Sequence, residues 1–171
     1  MISFLVILEL YIKLIYDRFV SMIKYFLIII SLSFIIFINC SEDIVVLDLK
    51  SFEWENRVLI IGGNGSNYQN QLDSLEVNKN EFIDRDLVVI LINKDESRIS
   101  YDGLEGFINL DYDSALGIRK RFNIENFNLI LIGKDGEVKY STNEPIKINI
   151  IFEIIDKMPM RMQEIKERNL K

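Results

Sequence analysis

The residues able to do chemistry in this sequence are few. The 171-residue chain has no histidine and one cysteine, Cys40. That removes histidine bases, histidine metal ligands, cysteine clusters and any disulfide within the chain. What remains is a glycine-rich junction, Gly62, Gly63, Asn64, Gly65, Ser66 and Asn67, two aspartate pairs (Asp84 with Asp86, Asp111 with Asp113) and a basic run, Arg119, Lys120 and Arg121. A glycine-rich turn between a strand and a helix can cradle a phosphate on free backbone N–H groups, and Asp95 stands where a dinucleotide fold places its ribose-binding acid. Tyr68 holds the third glycine's place in that pattern and there is no Walker lysine, so a plain turn is the competing reading. Paired aspartates can hold a hard cation, but such sites need more oxygen ligands, and both pairs fall where capping residues belong. The basic run reads as a solvated helix face or as an anion or partner contact. These residues imply neither a metal nor a cofactor.

The elements that would position them follow from hydrophobic spacing. VLII (58–61) and LVVILI (87–92) are short unbroken apolar runs rich in β-branched residues, as strands buried on both faces require. Between them Tyr68, Leu72, Leu75 and Phe82 recur on one face of a 3.6-residue period, predicting a helix and hence a βαβ unit with parallel strands. A second helix is expected after Asp113 as N-cap, with Ala115, Ile118 and Phe122 inward. LILI (129–132) and EVKYS (137–141) flank Gly133, Lys134, Asp135 and Gly136, a hairpin signal. Ile148, Ile151, Phe152, Ile155 and Met158 trace another amphipathic helix, and Pro159 can open a last polar one. Arg57 and Asp86 each precede a parallel strand, which puts both on the sheet edge opposite the glycine-rich loop, where an ion pair would be structural. Trp54 is expected to pack as a lid over the core.

βαβ, then α, then antiparallel ββα is the plan of the thioredoxin fold. The predicted class is therefore α/β, thioredoxin-like, a single domain over residues 52–158, with a polar helix over 159–171 and an N-terminal hydrophobic signal or anchor helix. The segments ENRVLIIGG, DRDLVVI, RKRFNI, LIGKDGEVKYS and IDKMPMRMQEI resemble the uncharacterised thioredoxin-like family known as domain of unknown function 4174, from about Phe52 to Glu167. The resemblance implies a fold and often an exported location, and no activity. In thioredoxin-like redox enzymes the attacking thiolate sits where the first βαβ strand enters its helix, because the helix N-terminus lowers the thiol pKa. A cis-proline stands just before the hairpin. Here the junction holds no cysteine, and Asn126, Phe127 and Asn128 include no proline. Two-cysteine exchange cannot be written with one cysteine per chain.

Residues 22–39 have the layout of a secretory signal peptide, with Lys24 ahead of an uncharged run from Phe26 to Ile38 and then Asn39 and Cys40. The arrangement resembles a bacterial lipoprotein signal, whose cysteine is acylated and becomes the new N-terminus; two or more acyl chains suffice for stable attachment. The family pattern prefers a small residue before the cysteine, and Asn39 departs from it. An uncleaved single-span anchor and a merely buried thiol are the alternatives. Residues 1–21 form a doubtful upstream extension, the start codon being Met1 or Met22. Residues 40–51 are expected to be a short tether, reaching about 3.5 Å per residue, that keeps the domain near the bilayer.

Twenty Lys plus Arg against 26 Asp plus Glu give a net charge of −6, the wrong sign for an electrostatic nucleic-acid binder. The resulting expectation is an exported, lipid-anchored thioredoxin-like domain without redox cysteines, a non-catalytic binding or adaptor module of the bacterial cell envelope. Its partners would be the membrane, through Cys40, and an envelope protein. The alternative is an enzyme or sensor that binds a small anion or nucleotide at Gly63, Asn64, Gly65, Ser66 and Asn67.

Overall fold

The computed structural model describes residues 13, 16–26, 44–75 and 79–170. The chain divides into two units, Met1–Ser41 and Glu42–Lys171. In the first, residues 16–26 are helical. Among the described residues no helix is long and apolar enough to cross a membrane. The apolar run beyond Phe26, together with Cys40, lies outside the described residues.

The second unit is built on β2 (Arg57–Gly62) and β3 (Leu87–Ile92), whose twelve residues are all buried. Both faces of this pair are covered, which explains why their sequences do not alternate. They run parallel, Arg57 opposite Leu87 and Gly62 opposite Ile92. The hairpin of β6 (Asn128–Ile132) and β7 (Val138–Thr142) packs antiparallel beside β2, placing Asn128 opposite Gly62. Gly136, at φ +76°, takes the left-handed corner that the Asp-Gly pair signals. Helix α1 (Gly65–Asp73) and the short α2 (Asn80–Asp84) connect β2 to β3. Helix α3 (Tyr112–Arg121) precedes the hairpin; α4 (Ile148–Asp156) and α5 (Pro159–Arg168) follow it.

The strand parity sorts two cores. Leu59, Ile61, Val89, Leu91, Leu129 and Leu131 face one side, against Tyr68, Leu75 and Phe82 and the α4 residues Ile148, Ile151, Phe152 and Ile155. Val58, Ile60, Val88, Ile90, Ile130 and Ile132 face the other, against Ala115 and Ile118 of α3. Helices on both faces of a sheet in which β3-β2-β6-β7 lie side by side make a thioredoxin-like topology.

Three strands extend it beyond the sequence reading. The full order is β1-β5-β4-β3-β2-β6-β7, with β1 (Ile44–Val45), β4 (Ser97–Ser100) and β5 (Ile108–Leu110). All three are four residues or shorter, below the length at which alternation is legible in sequence. Ile44 and Val45 pair with Asn109 and Leu110, and Leu47 and Leu49 pack on the α3-side core. The expected tether over 40–51 is thus corrected: from Ile44 onward it belongs to the folded body.

Other differences are local. The face running from Tyr68 to Phe82 belongs to two helices, because the seven-residue step from Leu75 to Phe82 spans their connection. Asp111, one pair-member earlier than expected, caps α3: its carboxylate accepts from the N–H groups of Asp113 (3.0 Å) and Ser114 (3.1 Å). Trp54 is no lid. It is 69% exposed in a left-handed conformation, φ 70°, and Phe52 is the buried ring.

Candidate functional site

The site begins where β2 ends. Gly63 donates its N–H to the Ile92 carbonyl (2.8 Å) and turns at φ +121°. A Cβ there would lie 2.4 Å from the Asn126 carbonyl oxygen and 2.7 Å from Phe127 Cα, so only glycine lets the loop before β6 pass this close. The junction and the pre-hairpin loop are therefore in backbone contact. Among the described residues no peptide bond is cis. The place is built, and none of the residues that form it, Gly62 to Asn67 and Asn126 to Asn128, is a cysteine.

From the junction the chain enters α1 with Asn64, Gly65, Ser66 and Asn67 exposed. Asn64 stands at the N-cap in extended conformation but makes no capping bond. Its side-chain oxygen accepts instead from the Lys94 backbone N–H (2.9 Å), tying the loop after β2 to the turn after β3. Asn93 shapes that turn, accepting from the Asp95 N–H at 2.8 Å. Between them lies a groove of about 610 Å³ lined by Asn64, Gly65, Tyr68, Lys94, Asp95 and Arg98 among others. Tyr68 is 7% exposed, and burial pushes its phenol up, with Arg98 opposing and Glu96 adding. The Arg98 guanidinium lies 5.4 Å over the Phe107 ring.

Gly63 and Asn64 form the turn, Gly65, Ser66 and Asn67 open α1, and Asp95 lies across the groove from them. Arg98 and Lys94 were not foreseen, because β4 was not. Its helical period assigns Tyr68 to the core. Its ring is buried, yet it also lines the groove. Cys40 lies outside the described residues.

The other charged groups have structural occupations. Asp84 pairs with Arg161 and Arg168; burial pushes its carboxyl up, but the two guanidinium groups outweigh burial and hold it below its usual range. Asp86 pairs with Lys134 (2.7 Å), not with Arg57. Arg57, 1% exposed, donates to Glu164 through both terminal nitrogens (3.2 and 3.1 Å) and to the Arg85 carbonyl at 2.9 Å. Arg57 and Asp86 share the sheet edge opposite the glycine-rich loop, as expected, but they meet only through backbone: Arg57 N–H donates to the Asp86 carbonyl at 2.8 Å. Glu164 also meets Lys134 (3.0 Å), and Arg85 pairs with both Asp156 and Glu81 at 2.7 Å. Desolvation raises the Glu164 carboxyl, and Arg57 and Lys134 overcome it, leaving it lowered. Among the described residues no three acids gather as a metal-ligand set. Arg119, Lys120 and Arg121 end α3, where cations suit the helix dipole, and no described carboxylate pairs with them; Arg119 lines a second cleft of about 550 Å³ beyond the β3–β4 turn. Sequence reasoning also missed Gln71, fully buried, whose amide clamps Ile146 by accepting from its N–H (2.8 Å) and donating to its carbonyl (3.0 Å).

Comparison with known proteins places this geometry in a family. None of the curated proteins is similar to the chain. Among solved structures, a mitochondrial 2-Cys peroxiredoxin from Plasmodium falciparum is 21% identical, over 64% of this chain and 79% of that one, with a TM-score of 0.41. The thioredoxin-like topology is read from the strand order itself. A family model described as a domain of unknown function, DUF4174, matches residues 48–164. That span covers β2 through most of α5, both loops of the junction and the groove beside the start of α1, and the chain belongs to the DUF4174 family.

Proposed function

We propose that this chain is an exported, lipid-anchored thioredoxin-like module of the bacterial cell envelope that binds a partner or ligand and performs no thiol exchange. One observation carries the reading. The junction Gly62–Asn67 and the loop Asn126–Asn128 meet backbone to backbone through Gly63, and the chain's single cysteine is elsewhere in sequence. A scaffold that keeps this contact with glycine and asparagine retains a presenting surface, since the helix start remains exposed. It cannot cycle a dithiol. The anchor rests on the sequence around Cys40: a cationic residue, an apolar run too short to be a standard span, and a cysteine at its end.

The two halves are tested separately. In a bacterial host the full chain should incorporate labelled fatty acid, the Cys40→Ala variant should not, and globomycin should leave the precursor uncleaved. An unlabelled product of unchanged mass in the soluble fraction would rule out the anchor, and a membrane-bound product retaining residues 22–39 would make it a single-span protein. The binding half is tested by recovering the cross-linked wild-type protein from envelopes and asking whether substitutions in the junction loop release its companion.

A further inference from the structure

We propose that the groove between the start of α1 and the β3–β4 turn binds a small organic phosphate, a phosphate monoester that also carries hydroxyl groups. The proposal rests on the binding-module reading only in taking the junction loop as a binding surface, and it needs no anchor.

The volume, about 610 Å³, suits a small molecule. Four groups on its walls lack an acceptor. Helix α1 has nine residues and no side-chain cap, because Asn64 has given its oxygen to Lys94; the first N–H groups of the helix therefore face an open end. Tyr68 is more than nine-tenths buried and lines the groove, and no described group hydrogen-bonds its hydroxyl. The ring is buried and the hydroxyl keeps contact with solvent, so a ligand there would take the place of water. Arg98 meets Glu96 at 3.4 Å through Nε, and its guanidinium makes no described hydrogen bond. The Lys94 ammonium has no described ion pair. One tetrahedral anion, with several acceptor oxygens, can accept from the donors that line this groove, a helix start, a phenol and two cations.

The carboxylate on the same walls narrows the ligand. Asp95 would repel a bare phosphate and would accept from a hydroxyl, so the favoured ligand presents both groups. The contrast with the opposite sheet edge supports the choice. There a smaller cavity of about 300 Å³ is lined by Arg57, Lys134 and Lys139, but each of these cations already holds a carboxylate.

The test is calorimetric titration of the full chain with glycerol 3-phosphate, adenosine monophosphate and inorganic phosphate. The expected result is saturable one-to-one binding of at least one ester at about 1 mM or tighter, with inorganic phosphate about tenfold weaker. Tyr68→Phe, which keeps the buried ring, and Arg98→Gln should each weaken the ester about tenfold, and Asp95→Asn should narrow the gap between ester and inorganic phosphate. No saturable heat from either ester, or unchanged affinity in both Tyr68→Phe and Arg98→Gln, would overturn the proposal. Equal affinity for inorganic phosphate would overturn the hydroxyl assignment. A failed titration leaves partner binding by the envelope module standing, whereas thiol turnover would remove that reading without touching this result.

Discussion

The two ends of the central strands treat charge in opposite ways. At the end where β2 and β3 begin, Arg57, Arg85, Lys134, Arg161 and Arg168 are knit to Glu81, Asp84, Asp86, Asp156 and Glu164 in one continuous network. At the end where they finish, Lys94 and Asp95 line the groove without a described ion pair. The first end fastens α4 and α5 to the sheet. Buried ion pairs are poor net stabilisers, because desolvation offsets attraction, but removing one partner strands the other. The lesson is that charge at the first end is committed to architecture, and charge at the second is free to meet something else. α5, expected as a polar terminal helix, illustrates the first case: its Arg161 is 3% exposed and reaches back to Asp84 and Asp156.

The largest effect should come from breaking the network. Glu164→Gln leaves Arg57 buried beside Lys134 and should cost about 3 kcal/mol or more in chemical denaturation, while adding Arg57→Met should recover part of that loss. An additive double mutant would show that the two residues are not coupled. Next comes the close approach at the junction. Gly63→Ala combines φ +121° with a backbone clash and should cost about 2–3 kcal/mol; Gly65→Ala, at φ +79° with nothing within 4 Å of the added Cβ, should cost about 1 kcal/mol. Equal losses would deny the contact between the junction and the pre-hairpin loop.

Acid should divide the two ends as well. Asp84 and Glu164 are held below ordinary values of 3.8 and 4.5 by their guanidinium and ammonium partners. A carboxylate whose folded pKa is depressed contributes stability that is present above its unfolded value and lost as pH falls through the folded one. Thermal melts should therefore be level from about pH 7 to 5 on this account and fall below about pH 4, with a shallower fall in Glu164→Gln. A loss of stability centred near neutrality would contradict it. The smallest effect belongs to the groove: Lys94→Gln and Arg98→Gln should shift stability by no more than about 0.5 kcal/mol, since neither side chain is locked in a buried pair. A loss of several kcal/mol in Arg98→Gln would make that residue architectural and erase the contrast.

The sequence showed the central architecture because β2, β3 and β6 are buried on both faces and read as unbroken apolar runs, and because α4 repeats its inward residues at a clean helical period. It hid β1, β4 and β5, which are too short for a period to develop and depend on pairing partners for their conformation. The glycine-rich loop was legible as a junction, because the left-handed turn at Gly63 is local, whereas the close approach of Asn126 and Phe127 that also requires glycine there was not. Its neighbours were not. Arg98 reaches the groove through β4, and Lys94 is joined to Asn64 across thirty positions by one hydrogen bond. The ion network was legible only in outline: the edge shared by Arg57 and Asp86 followed from strand direction, but Arg57's partner, Glu164, comes from α5 and Asp86's partner, Lys134, from the β6–β7 turn, beyond any local spacing rule.

The central claim is that this thioredoxin-like junction works without sulfur. Its most direct measurement is the turnover of a small disulfide and of hydrogen peroxide by the purified full chain and by Cys40→Ser, each with a dithiol reductant. The account predicts rates equal to those of the reductant alone for both proteins. Turnover above that background that survives Cys40→Ser would contradict it.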